Sequence, residues 1–422
     1  MVALEGQETL FKLSQLARTG DGMRRPVYDR RFMGSFNQFN ALEVQKRRPT
    51  LKKNSTNSAQ PKRARQTTSK KTAAKVTVGI DLGDQNSAYC VLDSGGDLLS
   101  EGTVRTTEGG FAQQFEKMPP CRIALETGTH SPWVSRLLKK YGHDVIVANA
   151  RQLRIIYDSD RKNDKVDART LARLARIDKE LLHPIRHRSE KAQADLAMLR
   201  ARDALVRVRT KLINCVRGMV KSVGGRLPGA SGECFAKKVR EHVPDAIRDA
   251  LTPLLDHIEQ IGTQLRDYDK RIEQMAKTDY APTMLMRQIP GVGVLTSMAF
   301  TLTIDDPHRF DKSRDVAAYL GLLPRQSDSG ESKPQLSITK AGDHMVRRLL
   351  VGCAHYVLGH FGPDSDLRRW GLSLAARGGK NAKKRAVVAV ARKLAVVMHK
   401  LWVTGEVYEP LREANRVKAE AA

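Results

Sequence analysis

From Val76 onward, short β-branched runs alternate with glycine, aspartate and asparagine. V-T-V-G-I-D-L-G-D, S-A-Y-C-V-L-D and L-L-S-E-G-T-V-R-T-T read as an opening meander of three strands. A stretch near Phe111 to Met118 predicts a helix, and C-R-I-A-L-E-T-G a fourth strand. S-P-W-V-S-R-L-L-K-K-Y-G predicts a second helix with Ser131 as N-cap and Pro132 in its first turn, and D-V-I-V-A-N-A a fifth strand. Strands and helices in this order make an α/β layer.

Near Ser189 the strands stop and the apolar period becomes helical. Met198, Ala201, Leu205, Val208, Leu212, Cys215 and Met219 recur at spacings of three and four, as do Leu251, Leu254, Ile258, Ile261, Leu265, Tyr268, Ile272 and Met275. Joined through G-G-R-L-P-G-A-S-G, they predict an antiparallel coiled-coil arm with these residues at its seam. From Pro282 the pattern is compact, mixed and largely helical, and Gln288 to Thr296 (Q-I-P-G-V-G-V-L-T) forms a glycine-rich hairpin before a helix. The chain thus divides into an N-terminal extension (1–75), an α/β domain (76–185), an arm (186–281) and a helical C-terminal domain (282–422).

Composition adds a partner. The 422 residues, 41% hydrophobic, are enough for real cores and exclude a disordered chain or a small disulfide-stapled scaffold. Lys+Arg number 73 against 46 Asp+Glu, a net charge of +27. A polyanion whose counterions the protein displaces is the usual reason for such an excess, so nucleic acid is the expected partner. Eleven cations and no acid lie between Val44 and Lys75, among polar residues that bury too little to fold; the segment predicts a disordered basic arm. The remainder still carries +16. No apolar run approaches the ~18 residues of a membrane span, and the N-terminus lacks a basic-then-apolar leader, so a cytoplasmic protein is expected. The five cysteines form no C-x-x-C pair and are expected to be free and buried.

Asp81 ends the first strand and Glu126 the fourth; if those strands are neighbours, the two carboxylates meet. Asp164 and Asp167, three apart at a helix start, share one face, and Val166, Leu171 and Leu174 turn that helix toward the sheet. Alone, each is an ordinary turn former or helix-dipole charge. Four together are hard oxygen ligands suited to Mg²⁺ or Mn²⁺, and two such ions about 4 Å apart stabilise attacking and leaving oxygens in phosphodiester displacement. In I-P-G-V-G, Gly291 and Gly293 fit either a tight turn or a helix-hairpin-helix element holding a DNA phosphate on backbone amides. Trp133, Trp370 and Trp402 are expected in cores.

Strand-Asp, strand-Glu, helix-Asp-x-x-Asp resembles the RNase H-like (RuvC-like) DEDD nuclease domain. G-I-D-L-G-D, A-L-E-T-G and N-D-K-V-D-A together are similar to the N-terminal domain of the IS-one-ten family of bacterial insertion-sequence transposases. Q-I-P-G-V-G, Y-L-G-L-L-P-R-Q-S-D-S-G and I-T-K-A-G-D-H-M-V-R-R-L-L resemble its C-terminal transposase domain, so the likeness runs from Val76 to about Leu358. The resemblance implies a RuvC-like domain, a coiled-coil arm and a mainly helical transposase domain. It implies a recombinase guided by a structured, element-encoded RNA, acting on donor and target DNA as a homo-oligomer, a dimer or tetramer, with no membrane. Asp81, Glu126, Asp164 and Asp167 would hold Mg²⁺ or Mn²⁺, and a serine would link covalently to DNA. Family members commonly have two serines followed by two glycines; here the segment reads Ser327-Asp328-Ser329-Gly330-Glu331, which makes Ser329 the nucleophile and Ser327 the fallback. A hydroxyl nucleophile needs cations to stabilise the phosphorane-like charge. Arg325, Lys333, Lys340, Arg347 and Arg348 surround the loop, as phosphate contacts or plain surface charge. The alternatives are a junction-resolving metal nuclease with water as nucleophile, and a non-catalytic nucleic-acid-binding protein.

Overall fold

The computed structural model describes residues 76–153, 163–332, 334, 336–413, 415 and 416; the basic arm and Lys333 lie outside the described residues. Five strands, β1 (Thr77–Asp81), β2 (Asn86–Leu92), β3 (Leu98–Arg105), β4 (Arg122–Glu126) and β5 (Asp144–Ala148), form one mixed sheet of order β3-β2-β1-β4-β5. The opening meander pairs antiparallel, whereas β4 and β5 join parallel to β1. That arrangement is the α/β layer expected, and it is compatible with an RNase H-like sheet.

Alternation along the strands gives the sheet two faces. Val78, Ile80, Ile123, Leu125 and Val147 pack with Phe111, Phe115, Val134 and Leu138. These come from α1 (Glu108–Phe111), the π turn that continues it (Ala112–Glu116), and α2 (Ser131–Lys140). Ser131 is the first residue of α2 and not its cap; its Oγ donates to the Gly128 carbonyl, while His130 occupies the cap position. The opposite face receives α3 (Asp164–Ile177). Leu171 and Ala175 pack with Ala124 and Ile146, and Ala168 and Ala172 with Ala88, Cys90 and Leu92.

The arm consists of α4 (Glu190–Ser222) and α6 (Asp245–Thr278), linked through the short α5 (Phe235–Val239). At 1.5 Å per residue each long helix spans roughly 50 Å. On α6 the predicted stripe is the buried one, with Leu251, Ile258, Leu265 and Ile272 inside. On α4 the seam is displaced. Leu196, Leu199, Asp203, Val216 and Val220 are buried, while Val208, Cys215 and Met219 of the expected stripe are exposed. The helix carries two neighbouring apolar stripes, and beside the buried one Arg202 pairs with Asp269 of α6 at 2.6 and 3.1 Å.

The C-terminal region contains α7 (Pro282–Met286), α8 (Val294–Ile304), α9 (Ser313–Tyr319), α10 (His344–Leu358), α11 (Asp366–Ala376) and α12 (Ala382–Thr404). Every residue of α8 from Thr296 to Ile304 is buried, which makes it the axis of a core shared with α10, α12 and the near ends of α4 and α6. Trp133, Trp370 and Trp402 pack against cores. The cysteines are free, but Cys215 and Cys234 are exposed. No helix among the described residues is long and apolar enough to cross a membrane.

Candidate catalytic site

The α3 face of the sheet gathers the predicted carboxylates. Gly79 and Asp81 share one face of β1, and Ala124 and Glu126 the same face of β4, because each pair is two residues apart. Parallel pairing places Ile80 beside Leu125, so Asp81 and Glu126 end adjacent strands at equivalent positions, with backbones about 4.8 Å apart. Glycine at position 79 lets α3 approach closely: a methyl there would strike the Ala168 carbonyl oxygen and lie 2.5 Å from the Ala172 amide. Lower down, the Arg122 guanidinium donates to the Ala175 carbonyl at 3.1 Å, which fixes the direction of α3. Its N-terminus therefore points to the strand ends that carry Asp81 and Glu126.

Asn163 caps α3 by accepting from the Lys165 amide at 3.0 Å. Asp164 and Asp167 occupy the first turn, where the helix dipole favours negative charge. Asp167 is buried on the sheet side at 6% exposure, in line with Leu171 and Ala175; Asp164 is exposed one turn earlier. The donor chemistry, carboxylate oxygens from two strand ends and one helix start, fits a hard divalent cation. Among the described residues, no three His, Cys, Asp or Glu side chains form a group that could hold a metal ion, so the carboxylates converge on one end of the sheet without closing around a point.

Asp84 and His130 lie in the loops that follow Asp81 and Glu126, at the same end of the sheet. His130 Nδ1 accepts from Trp133 Nε1 at 3.1 Å, and its Nε2 approaches Asp84 Oδ1 at 3.4 Å. Sequence reading passed over both. Their signal was position, three and four residues beyond the two strand-end acids.

Ser329 stands on a second element. Pro324 and Ile338 bridge antiparallel at the base of a hairpin, where the Arg325 amide donates to Ser337 (2.9 Å) and the Thr339 amide to Leu323 (2.8 Å). Ser329 and Ser332 exchange backbone bonds of 3.1 and 3.0 Å across the two-residue turn Gly330-Glu331, and Gly330 takes φ +54° as the first turn position demands. Ser327 and Ser329 are both exposed.

The surrounding cations differ in situation. Arg325 and Lys340 are exposed. Arg348 pairs with Asp203 of α4, which also holds Arg207. Arg347 is buried, and its Nη1 donates to the carbonyls of Leu320, Ala341 and Gly342 at 3.1, 3.1 and 2.9 Å. Its Nη1 is therefore committed to the protein's own backbone. Gly291 adopts φ +87° against the Tyr356 ring, and Gly293 is the N-cap of α8 with open space beside it.

Comparison with known proteins decides the family. A transposase family model of the DEDD IS110 type matches residues 78–224, and that of the Transposase IS116/IS110/IS902 family matches residues 284–368. The chain is 33% identical over 348 residues to the transposase for insertion sequence element IS1111A of Coxiella burnetii, covering 78% of this chain and 90% of that one. The chain belongs to the IS110 family of transposases. The IS110-family likeness extends to the transposase for insertion sequence element IS1328 of Yersinia enterocolitica, 28% identical over 78% of this chain and 98% of that one. A pilin gene-inverting protein of Moraxella bovis is 25% identical over 77% of this chain and 95% of its own length. This IS110-family transposase thus has a DEDD-type catalytic domain and acts on DNA.

Proposed function

We propose that this transposase cleaves and rejoins DNA by metal-assisted attack of Ser329 on a phosphodiester, guided by a structured RNA encoded with its element. Asp81, Glu126, Asp164 and Asp167 are the ligands for Mg²⁺ or Mn²⁺ in a RuvC-like domain (76–185), with the arm (186–281) as a coiled coil and 282–422 as the serine domain. When bound, the cation supplies Lewis-acid stabilisation of the charge that develops at phosphorus. The observation that carries the reading is the meeting of β1, β4 and the α3 N-terminus at one end of the sheet, joined in one chain to a serine exposed on a tight hairpin.

In the step proposed, Ser329 Oγ loses its proton and bonds to phosphorus as the bond to one deoxyribose oxygen breaks; that oxygen leaves with a proton. The phosphoserine conserves the ester bond energy, so a deoxyribose hydroxyl can later attack it, regenerate Ser329 and reseal the strand. Water as nucleophile would lose that linkage. The Moraxella relative's name, a gene-inverting protein, favours rejoining, since inversion requires strands to be resealed. Exposed Arg325 and Lys340, with the Gly291–Gly293 turn, would hold phosphates nearby. The test incubates labelled DNA with protein and Mg²⁺ and looks for a denaturant-resistant protein–DNA adduct. The adduct should disappear in Ser329→Ala, Asp81→Asn and Glu126→Gln, while sequencing of copurified RNA should return transcripts from the flanks of the gene. Strand cleavage without any adduct would favour the hydrolytic nuclease.

A further inference from the structure

The two sides of the serine hairpin leave the body of the protein between Tyr319 and Asp343, and at their root backbone meets backbone. A methyl at Gly342 would strike the Tyr319 carbonyl, and one at Gly321 the Ala341 amide. Gly321, Lys340 and Gly342 take φ of +68°, +55° and +56°, so the chain crosses itself through three left-handed residues. Such a crossing turns carbonyls inward. Leu320 on the outgoing side and Ala341 and Gly342 on the returning side all accept from the one nitrogen, Arg347 Nη1.

We propose that Arg347 is a positioning residue that locks the root of this hairpin and so fixes how Ser329 is presented to the phosphodiester. The inference rests on Ser329 being the nucleophile. A buried guanidinium is costly unless it is hydrogen-bonded, and here the protons of Nη1 cross-link the two sides of the hairpin. The neighbouring Asp343 supplies opposite charge. Asp343 in turn caps α10 through the Met345 and Val346 amides (2.8 and 3.1 Å) and pairs with Arg200 of α4 at 3.2 Å. Hairpin root, helix cap and arm therefore share one polar network, and loss of Arg347 releases the hairpin from it. A misplacement of about 1 Å at a reacting group can reduce a rate by ~10².

The test uses the full chain in three variants, Arg347→Met, Arg347→Lys and Ser329→Ala, and measures the rate of adduct formation against DNA concentration. Arg347→Met should lower the saturating rate by roughly 10²-fold with the half-saturating DNA concentration unchanged. In the same protein the Thr339 and Lys340 amides should exchange hydrogen faster while those of α8 stay protected. Arg347→Lys keeps the charge and three donors on one atom, so it should recover part of the rate, a rescue that guards against misfolding of the methionine variant. A raised half-saturating concentration at full rate would make Arg347 a phosphate contact and overturn the proposal. So would full rate in both variants while Ser329→Ala is inactive, a result that leaves the serine reading standing. Adduct in Ser329→Ala would overturn both.

Discussion

Gly79→Ala tests whether the acidic end of the sheet depends on the approach of α3. The added methyl would meet the Ala168 carbonyl, the Ala172 amide at 2.5 Å and the Ala172 methyl at 3.0 Å. Two of these are backbone atoms of a helix, so no rotamer relieves them, and α3 must lift from β1. Overpacking without an escape lies at the upper end of the 1–3 kcal/mol range, about 3 kcal/mol. At roughly 2–4 °C per kcal/mol for chains of a few hundred residues, the melting temperature should fall by ~6–12 °C. Asp164 and Asp167 ride on α3, so Mg²⁺-dependent adduct formation should fall further than stability alone explains. Thermal melting with and without Mg²⁺, beside the adduct assay below the melting range, measures both. Gly128→Ala is the control: it lies two residues after Glu126, has φ in the ordinary range and nothing within 4 Å of an added methyl. If Gly79→Ala melts and reacts like the parent, the packing that places the carboxylates is wrong.

Asp81→Asn and Glu126→Gln should each abolish adduct formation while melting within about 2 °C of the parent, since charge changes and shape does not. Gly262→Ala, inside α6 with room for a methyl, should stabilise the arm by about 0.5–1 kcal/mol in chemical denaturation. Burial, with Arg136, Lys139 and Arg188 nearby, lowers the His187 pKa to about 4 from an ordinary 6.5. The unfolded chain therefore takes up a proton that the folded chain refuses; stability is full above pH 6.5 and declines as pH falls toward 4, and His187→Gln should flatten that decline. Removal of residues 1–75 should weaken DNA binding and reduce the slope of log affinity against log salt, because seventeen Lys and Arg, eleven of them between Val44 and Lys75, no longer displace counterions.

The strand pattern was legible because its alternation is enforced by two packed faces, and the Asp81–Glu126 adjacency followed once β1 and β4 were neighbours. The seam of α4 was less so. Two neighbouring stripes satisfy the same spacing, and the tertiary core, which takes in Leu196 and Leu199, is not visible in the helix's own sequence. Ser131 looks like a cap by composition, yet the helix starts one residue earlier than a capping serine would allow, with His130 at the cap position and its ring bonded to Trp133. Arg347 shows the sharpest gap. In sequence it is one more cation beside a loop, and only the left-handed crossing at Gly321, Lys340 and Gly342 reveals the three carbonyls it serves.

A Ser329 that carries DNA through a covalent intermediate must leave a deoxynucleotide on one defined peptide. Digesting the Mg²⁺-dependent adduct with trypsin yields a peptide beginning after Arg325 that contains both Ser327 and Ser329, and fragmentation by mass spectrometry assigns the deoxynucleotide-bearing residue. The phosphodeoxyribose mass should fall on Ser329 and be absent in Asp81→Asn. The same mass on a residue outside the hairpin, or cleaved DNA with no modified peptide, would contradict that assignment.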